Sequence, residues 1–465
     1  MTSLELAITN VAHGGVFVAR HEGRVVFVAD TLPGERVLAQ VTDDAHDSFW
    51  RAETLEVLDA SPQRVAHVWD AASIHRDPAE RAGGAEFGHI ALAHQRELKR
   101  QVIADALQRM AKLDLPVQVE AAPGDDANGG TGWRTRVRLH VDADGVAGPY
   151  ASRSHRVVRV DDLPLATAEV AAAAPIREVT PGAASIDIVA PRGGAARVLV
   201  SDAPSEDLAP GEPAARAAAR GGRNNRGGRG APRGREARNG RGSTGAQGAG
   251  GAPRAWRHRD GTGSQVLVER VGDREFSVDA DGFWQVHREA PGVLTAAVQQ
   301  AIDEARFDPR AANLDLYGGV GLLAAAVADR FGSTTRITSV ESDAGATDHA
   351  ASNLAEWVGA AALTARVDRY LASLAAQAGS AEAARLRGGT VVLDPPRSGA
   401  GRAVVGALGS LHPAQIVYVA CDPVAFARDA ALFADRGYAV RSIRAFDLFP
   451  NTHHVELVAS IVPAE

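Results

Sequence analysis

From residue 311 onward the sequence repeats one pattern: a short apolar run, a turn, then a stretch with helical spacing. The apolar runs fall at 312–316, 337–340, 391–393, 416–420 and 436–443, with helical stretches between the early ones. Parallel strands need long crossovers, and helices supply them, so this half is restricted to a doubly wound α/β sheet. The final run, HHVELVASIV, follows a short turn and is expected to pair back on the sheet. Ligands of such sheets bind beyond the carboxyl ends of the strands, so residues at those ends are the first functional candidates.

The amino-terminal part reads differently. LELAITNV, GGVFVAR, RVVFVAD and RVLAQVTDD are separated by the turn sequences HGG, HEG and LPGE. Short strands at that spacing suggest a small barrel of the OB kind, a common platform for single-stranded RNA, although other small β-domains share the pattern. Residues 92–112 have helical spacing, with Leu98, Val102, Ala106 and Met110 recurring every four residues and Ile103 and Leu107 beside them. Lys99 lies off that stripe. Residues 131–165 alternate as paired strands, and Arg134, Arg136 and Arg138 share one face. That face is either solvated or in contact with RNA. Three parts are expected: a barrel over 1–62, a central α/β RNA-binding region over 63–284, and the doubly wound domain over 285–465.

Net charge is −7, which does not suggest a nucleic-acid partner. The average hides a split. Between Arg216 and Arg259 there are twelve arginines and one acid, Glu236. The remaining chain has 38 basic and 56 acidic residues, a balance of −18. Residues 203–262 hold too little apolar surface to offset their ordering entropy and are expected to be disordered. They are either an arm that grips RNA phosphates and bases or a passive linker. The single cysteine excludes an internal disulfide and a cysteine-held zinc or iron–sulfur site. No run of about 18 apolar residues occurs, and MTSLELAITN has neither a basic start nor an apolar core. A cytoplasmic, monomeric protein with no membrane partner is expected.

The strand ends carry chemistry. NLDLYGGVG (313–321) runs a strand into a turn whose glycines, Gly318, Gly319 and Gly321, let a ligand approach the backbone. Glu341, in ITSVESD, ends the second strand about 20 residues later, where an acid can accept hydrogen bonds from ribose hydroxyls. Asp368, at the end of the third strand, could reach an adenine amino group or cap a helix. VVLDPPRSG puts Asp394 at the tip of the fourth strand, with prolines that hold the chain rigid beside it. Arg397 follows where enzymes that methylate amino groups usually have an aromatic residue. IVYVACDP places Cys421 at the tip of the fifth strand, before a helix whose N-terminus is expected to lower the thiol pKa. DLFPNTHHVELV places Glu456 just inside the last strand pair; His453, His454 and Glu456 also resemble a metal cluster, but with no fourth ligand nearby.

A thiol and a carboxylate beside a nucleotide-type pocket fit one reaction well. Uracil C5 is too weak a nucleophile to take a methyl from a sulfonium. A thiolate adding at C6 turns the ring into an enolate, C5 then attacks, and a base removes the C5 proton before the thiolate leaves.

These segments resemble the bacterial RNA uracil-C5 methyltransferase family, which acts on tRNA or 23S ribosomal RNA. The resemblance spans nearly the whole chain outside the arginine-rich segment. LELAITNVAHGGVFVARHEGRVVFV resembles the TRAM domain of many members, and DGFWQVH (281–287) their F-Q-V-N segment. The resemblance implies S-adenosylmethionine as methyl donor, with Gln285, Asp315, Tyr317, Glu341 and Asp394 in its pocket, Cys421 as nucleophile and Glu456 as base. Many members hold a four-iron cluster through cysteines around C-G-G-C. Here Ala82, Ala85 and Leu163 stand at those places, so no iron–sulfur cluster is expected. Leu322 and Asp422 replace frequent asparagines. Two other readings share parts of the pattern. A non-catalytic RNA-binding protein on a decayed scaffold would have lost Cys421 or Glu456. An RNA cytosine-C5 methyltransferase would carry Pro or Thr before the nucleophile, where Ala420 stands.

Overall fold

The computed structural model describes residues 2–46, 48–202, 256–258, 266–377 and 379–464. The expectation of disorder over 203–262 falls outside the described residues, with one exception. Trp256–His258 forms a strand antiparallel to Arg197–Asp202, so these three residues belong to a sheet.

The amino-terminal strands close into a five-stranded barrel. Its spatial order is Ser3–Ala12, Val16–His21, Arg24–Ala29, Phe49–Asp59 and Arg36–Asp43. Alternate residues fill the interior; Phe17, Val26, Val28, Val37 and Ala39 are fully buried. Closure requires Phe49–Asp59, which pairs parallel to one neighbour and antiparallel to the other.

The helix Leu92–Ala106 runs on into a π-helical turn, Leu107–Ala111. The wider turn shifts the helical phase, and Met110 comes out 40% exposed rather than on the buried stripe. Leu98 packs into the barrel core, whereas Ile103, Ala106 and Leu107 pack into the core of the large sheet. A helix covered from both directions has little solvent face. Lys99, expected outside the stripe, is therefore buried, its ammonium 2.5 Å from Asp447 and 3.1 Å from the Phe449 carbonyl.

A five-stranded central sheet carries Arg136–Val141 between Ala183–Val189 and Ala147–Gly148. Its arginines are tied within the fold. Arg138 donates two bonds to Asp187, and Arg136 donates to the Gly282 carbonyl beside Glu269. Arg134 precedes the strand and donates to the Arg136 carbonyl.

The large sheet has eight strands. Their order is Ala360–Thr364, Ile337–Glu341, Asn313–Leu316, Thr390–Leu393, Gln415–Ala420, Glu456–Pro463, Tyr438–Asp447 and Val119–Ala121. The first five are parallel, and Glu456–Pro463 inserts antiparallel between its neighbours. Alternate residues feed two cores: Leu316, Leu393 and Tyr418 one, Val392, Val417 and Val458 the other. The central region supplies the edge strand Val119–Ala121. The hairpin Val266–Asp279 is tied to the large domain through Asn353, which bonds both backbone groups of Ser277.

Candidate active site

Asp315, Tyr317, Glu341, Asp394, Cys421 and Glu456 lie at the carboxyl edge of the large sheet. At the first strand end, Gly318 has no room for a side chain; a Cβ there would fall 2.0 Å from the Ser339 hydroxyl. Gly319 is left-handed at φ +54° and faces open space, so its backbone can be approached. Its N–H donates to Glu341 at 3.2 Å. Tyr317 is also left-handed, at φ +64°, an uncommon state for a non-glycine residue. Burial pushes its phenol up to about 12.

Beneath the turn, Asp315 is fully buried. One carboxylate oxygen accepts from Ala324 N–H at 3.1 Å and Ser339 at 3.2 Å; the other has no partner. Burial pushes this carboxyl up to about 7. Asp394 at the next strand end is likewise pushed up to about 7, by burial and by the charge of Asp315. Gln285 is half-buried in the segment 281–287, next to Phe283, which is 70% exposed. Asp368 does not end a strand. It lies in the first turn of the helix Val367–Ala376 and is gripped by Arg366 at 2.9 and 3.1 Å. Neither does it cap the helix; Arg366 occupies the N-cap position.

Cys421 and Glu456 come together through strand register. Ala420 pairs with Leu457 across the antiparallel ladder, so the next residue on each strand is Cys421 and Glu456. Glu456 is buried and its Oε2 has no hydrogen-bond partner. Burial and the charge of Asp394 push its carboxyl well up, against the opposing pull of Arg397. The thiol is not lowered as its helix-proximal place suggested. Burial, then the charges of Glu456 and Asp394, push Cys421 up to about 12. The helix Pro423–Ala434 begins two residues further on, and its first N–H groups are taken by Asp422, which accepts from Val424 and Ala425.

Asp422 reaches the barrel as well. Its second carboxylate oxygen lies 3.0 Å from His13 Nε2, in the turn between the first two barrel strands. That turn helps close a cavity of 140 Å³ lined by Cys421, Arg397, His454, Lys99, Phe87 and His13, among others. Arg397, Lys99 and His13 did not stand out as cavity residues in the sequence; only the D-P-P-R motif pointed to the first. His454 is pushed down to about 3 by burial and by neighbouring His453 and Arg397. Among the described residues no three His, Cys, Asp or Glu side chains converge on a metal-sized site. Ala82, Ala85 and Leu163 are buried in an apolar cluster with Trp69 and Trp133.

A doubly wound sheet with a glycine turn, an acid on the second strand and a cysteine beside a buried glutamate defines a nucleotide-dependent transferase of the methyltransferase type. Known proteins carry the assignment further. Residues 295–461 match the tRNA (uracil-5-)-methyltransferase family. An RNA methyltransferase of Streptomyces coelicolor is 37% identical over 99% of this chain and 93% of its own. One of Bifidobacterium longum is 31% identical over 99% and 96%. The crystal structure of Pyrococcus abyssi tRNA (uracil-54, C5)-methyltransferase, in complex with S-adenosyl-L-homocysteine, shares the fold. Its TM-score is 0.64 at 19% identity, over 98% of this chain and 99% of that one. The chain belongs to the RNA uracil-C5 methyltransferase family and is an RNA methyltransferase. No described helix is long and apolar enough to cross a membrane.

Proposed function

We propose that this enzyme transfers a methyl group from S-adenosylmethionine to C5 of a uracil in 23S ribosomal RNA or tRNA, with Cys421 as nucleophile and Glu456 as base. The observation that carries this reading is the strand register that makes Cys421 and Glu456 neighbours beside Asp394 and Arg397. The donor fits the first strand end. Gly319 leaves backbone open to a ligand, Glu341 offers ribose a carboxylate, Tyr317 opens the turn, and Asp394 follows the neighbouring strand; Gln285 would reach the donor from the segment 281–287. When bound, the donor supplies an electrophilic methyl on a sulfonium. Asp368 is paired with Arg366 but partly exposed, and its carboxylate keeps lone pairs that can accept from an adenine amino group.

The protein's own groups then divide the work. Cys421, its proton released to solvent through the cavity it lines, adds to C6; the pair of electrons displaced from the ring double bond makes an enolate. C5 attacks the methyl, Glu456 takes the C5 proton, and the Cys421–C6 bond breaks to restore the ring. Three acids crowd this edge, and they cannot all be ionised without mutual repulsion. Arg397 favours the charged forms of Cys421 and Glu456. The dry surroundings strengthen each of these interactions. Mapping 5-methyluridine in tRNA and 23S ribosomal RNA from cells with and without the protein tests the reading: one site should lose its methyl when the protein is absent. An unchanged map would contradict it.

A further inference from the structure

A second cavity, of 390 Å³, lies beside the first, and Gly14 and His453 line both. It opens between the barrel turn, the segment 83–86, the strand carrying Arg138 and His140, and residues 149–154. None of these groups has a part in the chemistry above. One wall carries an aromatic stack: the ring centroids of His140 and Tyr150 lie 3.5 Å apart with planes 7° from parallel. Such a slab matches the face of a nucleobase. Another wall carries Glu86. Its Oε1 accepts from the Gly84 N–H at 3.1 Å, while Oε2 is buried, has no hydrogen-bond partner and lies 3.6 Å from His453 Nδ1. The side chain keeps 24% exposure. Burial opposes its ionisation, yet neighbouring His453 holds the carboxyl down at about 2. It therefore acts only as an acceptor at any working pH.

We propose that this second cavity receives a guanine flanking the target nucleotide, stacked along the His140–Tyr150 wall and read by the Glu86 carboxylate. Guanine alone among the four bases presents two adjacent N–H donors, N1–H and the N2 amino group, on one edge. Uracil, cytosine and adenine each place acceptors beside their single donor group, and those acceptors would face the carboxylate unfavourably. Because His453 and Gly14 separate the two cavities, bases splayed from one strand can enter both. The proposal rests on the chain being an RNA enzyme, and not on the cysteine chemistry.

The test uses full-length Cys421→Ala protein and fluorescein-labelled hexaribonucleotides, read by fluorescence anisotropy. The set is U6 and the same hexamer with one guanine, inosine or adenine. The guanine hexamer should bind roughly tenfold tighter than U6, as expected for one bidentate base contact. Inosine, which lacks the N2 amino group, should lose most of that gain, and adenine should show none. Glu86→Gln should bind U6 as before and lose the guanine advantage. Equal binding of all four hexamers, or an adenine preference, overturns the proposal on the unsubstituted pocket alone, whatever the folding of the Glu86 variant. A guanine advantage that survives Glu86→Gln overturns the reading by the carboxylate. Because Cys421 is absent from the assay, neither result depends on the methylation mechanism.

Discussion

Glu35 in the barrel and Glu456 in the large sheet are both buried, and their surroundings are opposite. Glu35 is saturated. Thr31, Leu32 N–H and Ser61 N–H donate to it, and Arg64 donates twice, at 2.7 and 2.8 Å. Burial alone would raise its pKa; Arg64 and the other donors carry it below the usual range. Glu456 is equally dry, but its Oε2 has no partner and its nearest charged neighbours include another acid, Asp394. Buried carboxylates that serve structure are paired and charged. One left unpaired and pushed upward stores free energy that the fold does not need, which is a mark of chemistry.

Exchanging each glutamate for glutamine separates the two roles. Glu456→Gln should cut turnover by roughly 10²–10⁴-fold, the usual contribution of a positioned base. It should change folding stability by less than about 1 kcal/mol, because Oε2 makes no hydrogen bond that glutamine would lose. Single-turnover assays and denaturant titration give the two numbers. Glu35→Gln should reverse the pattern. It leaves Arg64 facing a neutral partner in a dry site and should cost about 3–5 kcal/mol of stability, with turnover per folded molecule unchanged. A large stability loss in the first variant, or a large kcat loss in the second, would break the distinction.

The thiol sharpens the comparison. With its pKa raised to about 12, Cys421 is protonated at neutral pH, and its thiolate fraction keeps growing tenfold per pH unit through pH 10. Iodoacetamide alkylation should follow that slope without a plateau. At fixed pH, Glu456→Gln should speed it, by about tenfold if one carboxylate charge accounts for one pKa unit. A rate that levels off by about pH 10 would indicate an ordinary thiol.

The smallest effect belongs to the contact between the barrel and the catalytic strand. His13 is nearly half exposed, so His13→Ala should cost no more than about 1 kcal/mol. The sign of its pH dependence follows from the partners. His13 is raised by its bond to Asp422, so its contribution is present below its ordinary pKa and fades as pH climbs through the raised one. Asp422 is lowered: burial opposes this, but His13 and the helix N–H groups outweigh it. The difference between wild type and variant should thus be larger at pH 6 than at pH 9 in thermal denaturation. A difference that grows with pH would contradict the pairing.

The strand-end residues of the candidate site were largely legible in the sequence because they are written in local patterns. The glycine turn, Glu341, Asp394 and Cys421 each follow an apolar run, and the strands appear within a few residues of the runs. What the sequence left unread depends on neighbours far along the chain. The third strand, Ala360–Thr364, is expected without bounds, because its residues are small, largely exposed and form no buried run. Val119–Ala121 is only three residues long and gains its place from Ala445–Asp447. Lys99 was misassigned because burial by two separate cores cannot be read from one helical stripe. The direction of the Cys421 shift was missed for the same reason. The helix after it was visible, but Glu456 and Asp394 reach the thiol from other strands.

The covalent step is the central claim, and one experiment addresses it directly. RNA carrying 5-fluorouridine at the target position, incubated with enzyme and S-adenosylmethionine, should yield a denaturation-resistant complex, because fluorine cannot leave C5 as a proton does. Mass spectrometry of the digested complex should find a methylated fluorouridine attached through sulfur to Cys421. Efficient methylation of ordinary RNA by Cys421→Ala, or an adduct on any other residue, would contradict the account.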